Sequence, residues 1–275
     1  EPGLYVAATP IGNLGDVTYR VIETLKAVDR ILCEDTRHTA KLCAAYGIAT
    51  LRAPYHEHNA AAVRPGLVAE LKAGARFALV SDGGTPLISD PGYKLVADAR
   101  AAGVRVTPLP GPCAAIAALS AAGAPTDRFL FAGFPPVKAG QRAAFLKGLA
   151  HIDAPLVFYE SPTRVADTLM ATKEAFGARR AVVARELTKI YESIEAGDIA
   201  ELGDRFSRTE PRGEFVVIVH PPALTAAPDE ADVDAFIARA LQSMSVREAA
   251  AAAADALGLP RKAAYERALT LKERK

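Results

Sequence analysis

The sequence predicts an α/β protein of two αβ domains in series, the first built on a parallel sheet, followed by a small helical domain. Three observations carry this expectation. Apolar, strand-like runs alternate with helical patterns from residue 4 to residue 219, the alternation of a parallel sheet with right-handed crossovers. Most of these runs break into loops rich in Gly, Pro or charged residues, and ligands of open α/β sheets sit at the carboxyl ends of strands. Beyond about residue 229 only helical periodicity remains. The expected boundaries are 1–124, 125–221 and 229–275.

Leu4 to Ala8 is a strand that breaks at Thr9-Pro10-Ile11-Gly12-Asn13-Leu14-Gly15-Asp16, after which Val17 to Val28 has helical spacing. Arg30 to Cys33 is the next strand, ending at Glu34-Asp35-Thr36-Arg37 before a helix that Gly47 stops. Polar Tyr55-His56-Glu57-His58-Asn59 precedes a helix through Leu71, closed by Gly74. The unbroken apolar run Phe77 to Val80 predicts a strand covered on both faces. It enters Ser81-Asp82-Gly83-Gly84-Thr85-Pro86, where two glycines let a ligand touch backbone beside a carboxylate. A helix from Tyr93 to Ala102, stopped by Gly103, leads to a strand at Val104 to Thr107, then Pro110-Gly111-Pro112-Cys113. Ala114 to Ala122 is a small-residue helix able to lie tightly against a sheet or ligand. The second domain opens with a strand at Phe129 to Ala132. It continues with strand Leu156 to Tyr159, helix Val165 to Phe176, strand Ala181 to Ala184 and a last strand Phe215 to Val219.

His220 to Pro228 has the composition of a linker. Asp229 to Gln242 is helical, and Ser245 with Glu248 three residues on is a capping-box start for an alanine-rich helix to Leu257. Gly258-Leu259-Pro260 turns the chain into a basic helix from Arg261 to Leu269, giving the outline of a helix-turn-helix.

With 275 residues, half of them hydrophobic, the chain is long enough for these domains. No apolar run approaches the roughly 18 residues that span a bilayer, and residues 1–15 lack a basic start followed by an apolar stretch. The expected location is the cytoplasm, with no membrane partner. The chain begins at Glu1 rather than Met, which suggests that a short segment precedes it. Cys33, Cys43 and Cys113 form no CxxC pair, so buried thiols are expected rather than disulfides or a zinc ribbon. Net charge is only +1, but Arg261, Lys262, Arg267, Lys272, Arg274 and Lys275 outnumber Glu266 and Glu273 in the tail. A basic tail points to nucleic acid, and a solvated helix face accounts for it equally well.

His56 and His58 flank Glu57 without a further Cys or His cluster, a weak ligand set, so no metal is expected. The first loop holds only Gly12 and Gly15, wrongly spaced for a GxGxxG dinucleotide loop, and no GKS or GKT follows a strand. What remains is a site assembled from several loops: Thr9 to Asp16, Ser81 to Pro86 and Pro110 to Ala114. Tyr159-Glu160-Ser161-Pro162-Thr163-Arg164 and Ala184-Arg185-Glu186-Leu187-Thr188-Lys189 each set a carboxylate beside a guanidinium after a strand, as structural ion pair or as functional site. Arg212-Gly213-Glu214-Phe215 leads into the last strand.

Seven segments in order, spread across nearly the whole span of residues 4–220, carry a resemblance. They are 9–16, Cys33-Glu-Asp-Thr-Arg37, 81–86 with Asp90-Pro-Gly92, Leu109-Pro-Gly-Pro112, 159–164, 184–189 and 212–215. The chain resembles the tetrapyrrole methylase superfamily of S-adenosylmethionine enzymes, and within it the branch that methylates ribose 2′-hydroxyls of ribosomal RNA. The helical tail resembles the appendage of that branch. The resemblance implies a homodimer, a methyl donor in the cleft between the two αβ domains, and a cytidine of 16S ribosomal RNA near the decoding centre as acceptor. It puts the donor against Pro10, Asp82, Gly83, Gly84, Thr85, Leu87, Cys113, Ala114, Tyr159, Leu187 and Glu214. The first loop departs from the wider superfamily, with Thr9-Pro10-Ile11 where a glycine-rich stretch is usual, which opens it to RNA contact.

A ribose hydroxyl must lose its proton on methylation, and the candidate bases are Glu160, Glu186 and Lys189, with Asp35 behind them. RNA phosphates are expected at Arg37, Arg164, Arg185, Lys189, Arg261 and Lys262, whether in free RNA or in the assembled small subunit. Two other readings stay open: a methylase of tetrapyrroles on the same fold, and a non-catalytic nucleic-acid-binding regulator.

Overall fold

Glycine at position 3 starts the first strand, β1 (Gly3–Ala7), because its φ of +143° sets the backbone against the Arg105 carbonyl, where any Cβ would collide. The computed structural model describes residues 1–209, 211–222, 230–257 and 259–273. Two units emerge, Glu1–Pro221 and Pro222–Lys275.

In the first unit, β1 is followed by α1 (Tyr19–Ala27), which Thr18 caps by accepting the Val21 amide. Then come β2 (Arg30–Cys33), α2 (Thr36–Ala45), β3 (Arg52–Pro54), α3 (Glu57–Lys72), β4 (Arg76–Leu79), α4 (Tyr93–Ala101), β5 (Val106–Leu109) and α5 (Ala114–Ala121). The five strands form an all-parallel sheet in the order β3-β2-β4-β1-β5. Alternate residues of the apolar runs serve opposite faces: Ile31, Cys33, Ala78 and Val80 pack with α1 and α2, whereas Leu32, Phe77 and Leu79 pack with α3 and α4. This accounts for their unbroken apolar character.

Residues 130–219 build a second sheet. It comprises β6 (Leu130–Gly133), α6 (Ala139–Leu149), β7 (Leu156–Glu160), α7 (Val165–Phe176), β8 (Arg180–Arg185), β9 (Ser193–Asp198), α8 (Ile199–Ser207) and β10 (Phe215–Val219). Its order is β6-β7-β10-β8-β9, with β6 parallel to β7 and the other pairs antiparallel. Helices α6, α7 and α8 cover one face. The other is covered by α5, whose Ala115, Ala118 and Leu119 lie against Val157, Val182, Val216 and Ile218. The small side chains of α5 let it lie close on that sheet, which ties the two halves together.

The second unit holds α9 (Glu230–Ala240), α10 (Val246–Leu257) and α11 (Arg261–Glu273), packed through Val233, Ile237, Ala250, Ala253, Ala254, Ala264 and Ala268. The capping box is present: Ser245 Oγ accepts the Glu248 amide at 3.3 Å and Glu248 Oε2 accepts the Ser245 amide at 2.9 Å. The expected linker from Ala223, Asp229 of the first tail helix, Gly258 of the turn, and Arg274 and Lys275 lie outside the described residues. Among the described residues no helix is long and apolar enough to cross a membrane.

Candidate functional site: a crevice of strand-end loops

The first two loops of the site zip together. Thr9 and Gly84 exchange backbone hydrogen bonds of 2.9 and 3.0 Å, and Thr9 Oγ1 donates to the Ser81 carbonyl. Thr85 Oγ1 donates to the Pro112 carbonyl at 2.9 Å, which adds the loop after β5. A Cβ on Gly84 would lie 3.2 Å from Ile11 Cγ2, and one on Gly83 3.5 Å from the Pro10 carbonyl. Close backbone approach is what these glycines supply. From the other half, Tyr159 Oη accepts the Ala115 amide at 3.1 Å at the start of α5. Phe131 and Phe134 set ring edges against Tyr159, and burial, with the Cys113 thiol beside it, pushes its phenol up so that it stays protonated. Leu187, Ile11, Cys113 and Ala114 join the same apolar cluster.

A second cluster hangs on Glu186, whose φ of +49° is left-handed. Its Oε1 accepts from Lys189 Nζ at 2.8 Å and from the Glu214 amide at 3.0 Å, and Lys189 Nζ also reaches Glu214 Oε2 at 2.8 Å. The stem of Lys189 crosses the first loop, where a Cβ on Gly12 would lie 2.5 Å from its Cγ. Burial opposes the charge on both partners. For Lys189 the bonds to Glu186 and Glu214 outweigh it and hold the ammonium above its ordinary range, and for Glu186 the Lys189 bond and the Glu214 amide hold the carboxyl below. Both are charged at neutral pH, so neither is poised to accept a proton. Leu87, Ser89 and Thr188 are also non-glycine residues at positive φ, at 75°, 67° and 68°. Strain of this kind persists only where the surroundings over-determine it, and it gathers at binding sites.

Glu160 sits differently. Its side chain is fully buried, with Oε1 on Arg164 Nη2 at 2.6 Å and on the Ser161 amide, and Oε2 on Thr168 Oγ1 at 2.6 Å. Those bonds make it an internal anchor for the end of β7. Arg164 is bound in turn by Ser161 Oγ and the Pro135 carbonyl. Arg37 clasps Asp35, which holds that carboxyl well below the usual range. Arg185 donates to the Arg212 carbonyl and lies over the Phe215 ring. With Lys189, four of the expected RNA cations of the first unit are therefore engaged within the chain. In the second unit Arg261 lies 3.6 Å from Asp255, Lys262 is exposed, and Arg267 is held by Asp234 and Glu230. Cys33 and Cys43 are buried, and Cys113 is half-buried, packed against that apolar cluster.

Asp90 lies further along the loop after β4. Burial pushes its carboxyl up to about 6, Glu34 and Asp82 add like charge, and a bond from Ser81 opposes the shift. Among the described residues, no group of three or more His, Cys, Asp or Glu could hold a metal ion.

Two αβ halves with strand-end loops meeting at one backbone-lined crevice define a methylase-type transferase fold. Solved structures share that fold: a cobalt precorrin-4 methyltransferase at 17% identity and TM-score 0.59, covering 79% of this chain and 94% of that one, and a diphthine synthase at 14% and 0.63, covering 79% and 89%. The pattern of the Tetrapyrrole (Corrin/Porphyrin) Methylases matches residues 3–203, and the chain belongs to this family. The RsmI C-terminal HTH domain matches residues 227–272. Among its relatives are proteins named ribosomal RNA small subunit methyltransferase I. That of Mesorhizobium japonicum is 48% identical, over 99% of this chain and 93% of its own length. That of Escherichia coli O157:H7 is 45% identical, over 97% and 94%.

The chain is an S-adenosylmethionine-dependent methyltransferase. Its crevice fits such a donor on its own evidence. Gly83 exposes bare backbone beside the Pro10 carbonyl, and the Thr188 hydroxyl is buried with no hydrogen-bond partner among the described residues.

Proposed function

We propose that this methyltransferase modifies the ribose 2′-hydroxyl of a cytidine in 16S ribosomal RNA near the decoding centre, in the cytoplasm, as a homodimer. The observation that carries the reading is that likeness to the ribosomal RNA methyltransferases extends through the C-terminal helical domain as well as the methylase body. The donor-holding residues are Pro10, Asp82, Gly83, Gly84, Thr85, Leu87, Cys113, Ala114, Tyr159, Leu187 and Glu214, supported by the convergence of their loops. When bound, the donor supplies a methyl group already activated on sulfur. The residues around it hold the acceptor oxygen in line and exclude water, and alignment of reactants contributes up to roughly 7–11 kcal/mol. The 2′-hydroxyl as acceptor selects RNA over DNA.

The test is label transfer from methyl-labelled donor to small-subunit particles lacking the modification, with the methylated nucleotide mapped by mass. No incorporation into RNA sinks the reading. Light scattering checks the homodimer, which a second copy covering the exposed Ile190 and Tyr191 would favour; a monomer mass at working concentration sinks it.

Charge reversal on the tail separates RNA recognition from donor binding. The double variant Arg261→Glu with Lys262→Glu is expected to weaken RNA binding about tenfold or more and to reduce the salt slope by roughly two. Donor affinity stays unchanged. An unaltered salt dependence would remove these two residues from the phosphate contacts.

A further inference from the structure

Strand β6 ends at Gly133, left-handed at φ +66°, and the chain runs through Phe134-Pro135-Pro136-Val137-Lys138 before α6 begins. Two arginines hold this loop by its backbone. Arg164 Nη1 donates to the Pro135 carbonyl at 3.2 Å, and Arg142 Nη1 donates to the Val137 carbonyl at 3.1 Å. Arg142 is buried and Arg164 nearly so, and each is tied again, Arg164 to the buried Glu160 and Arg142 to Asp167. With the fixed φ of two prolines added, the loop is set in one shape before anything binds it. What it presents outward is apolar: Phe134 is 53% exposed and Val137 more so, with the exposed Lys138 beside them. Phe134 borders the crevice through Tyr159. The two ring centroids are 5.6 Å apart, and Tyr159 Oη accepts the Ala115 amide where the loop after β5 enters α5. The rings cross at 62°, so they do not stack on each other, and more than half of Phe134 is left for another partner. The loop after β4 meets the same corner, since Ser89 Oγ would lie 3.5 Å from a Cβ on Gly133.

We propose that Phe134 is the platform on which the base of the methylated nucleotide stacks. The inference rests on the RNA-methylation reading above and names the residue that positions its acceptor. Unpaired RNA bases are typically splayed out and laid on aromatic side chains, and an exposed ring with an ammonium nearby suits a flat base joined to a phosphate. The ribose that receives the methyl group has to reach the donor in the crevice, and its base travels with it to the rim where Phe134 meets Tyr159. A base held on a ring that the loop cannot swing limits rotation of the nucleotide, so the 2′-hydroxyl is presented in the alignment that transfer requires. Because a ring face accepts every base, Phe134 supplies hold and orientation, and the choice of base falls to polar groups. An apolar rim of this kind could otherwise be covered by a second copy of the chain, a use that needs apolar bulk but no aromatic ring.

The experiment compares the wild-type full chain with Phe134→Leu and Phe134→Tyr on small-subunit particles lacking the modification. Leucine keeps apolar bulk and removes the ring face; tyrosine keeps both. Phe134→Leu is expected to lower kcat/KM for the particles about 10- to 100-fold, with Phe134→Tyr within about threefold of wild type. Donor Kd by calorimetry and the thermal midpoint stay close to wild type in both variants, because the bond from the Ala115 amide to Tyr159 is left in place and half of Phe134 already lies in solvent. On the unaltered chain, ultraviolet light is expected to link the modified nucleotide to the segment 130–138, mapped by mass. Turnover by Phe134→Leu within about threefold of wild type, an equal loss in both variants, a donor Kd weakened as much as kcat/KM, or a link from that nucleotide to another segment overturns the proposal. A Phe134→Leu chain whose mass by light scattering falls together with its turnover assigns the ring to contact between copies and overturns it as well. Failure of the wild-type chain to label RNA at all overturns the functional reading instead, and the proposal with it.

Discussion

Replacing Arg164 with methionine lowers the stability of residues 1–221 by about 3–5 kcal/mol, a drop of roughly 10 °C in thermal midpoint for a unit of this size. Arg164 provides the cation facing Glu160, whose side chain has no exposed surface. Thr168 Oγ1 and the Ser161 amide still satisfy the carboxylate in part, but two hydrogen bonds do not offset a buried negative charge. The loss extends to Ser161 Oγ and the Pro135 carbonyl, which Arg164 also binds, and so loosens the chain between β6 and α6. Replacing Glu160 with methionine in the same chain is expected to recover most of the deficit, since a buried pair is often exchanged for apolar groups at little cost. Denaturant unfolding of both single variants and the double variant gives the coupling energy directly. A loss under 1 kcal/mol for the Arg164 variant, or no recovery in the double, would show that the pair is not what fixes the end of β7.

Glu160 and Arg164 are visible in the sequence as a carboxylate and a guanidinium after a strand, but their choice between anchoring and catalysis depends on burial, which spacing does not reveal. The same division runs through the fold. Strands such as Phe215–Val219 are legible because burial on both faces leaves no polar position in them. The three-residue β3 and the polar β9 carry no such signal: β3 is an edge strand ending in Pro54, and β9, also an edge, exposes alternate side chains and is held by its ladder with β8. Helix α6 is equally hidden, with two glycines and only Phe145, Leu146 and Leu149 as large apolar residues. Helix α8 was missed although its signal exists: Ile199, Leu202 and Phe206 share one face, and Asp198 caps it by accepting the Ala200 amide. The strand expected at Val104 starts two residues later, because the Val104 amide closes α4 on the Ala99 carbonyl through Gly103 at φ +76°. In the site, the glycine and proline loops were legible as loops. The zip between Thr9 and Gly84 and the stem of Lys189 over Gly12 join residues far apart in sequence, and only the folded chain brings them together.

Replacing Gly213 with alanine is expected to weaken donor binding about 10- to 100-fold while lowering stability by about 2–3 kcal/mol. Gly213 has φ +92°, where an L side chain is strained by about 1–2 kcal/mol. The added Cβ would also land on the Glu186 carboxyl group. Glu186 is flexible enough to move, so the collision resolves by expelling it. Expulsion breaks its bonds to Lys189 Nζ and the Glu214 amide, worth about 1 kcal/mol net in stability, and the ion pairs near the surface add little. The functional loss is larger than the stability loss suggests, because Glu186 holds three things in register: the left-handed turn that presents Leu187, the approach to β10 at Glu214, and Lys189 over the first loop. Gly47→Ala supplies the control. Gly47 is also left-handed, at φ +61°, but a Cβ there meets nothing, so that variant carries backbone strain without a collision and leaves the donor site intact. Calorimetric titration of donor into both variants decides the matter: equal affinities would mean that the Glu186 cluster does not shape the site.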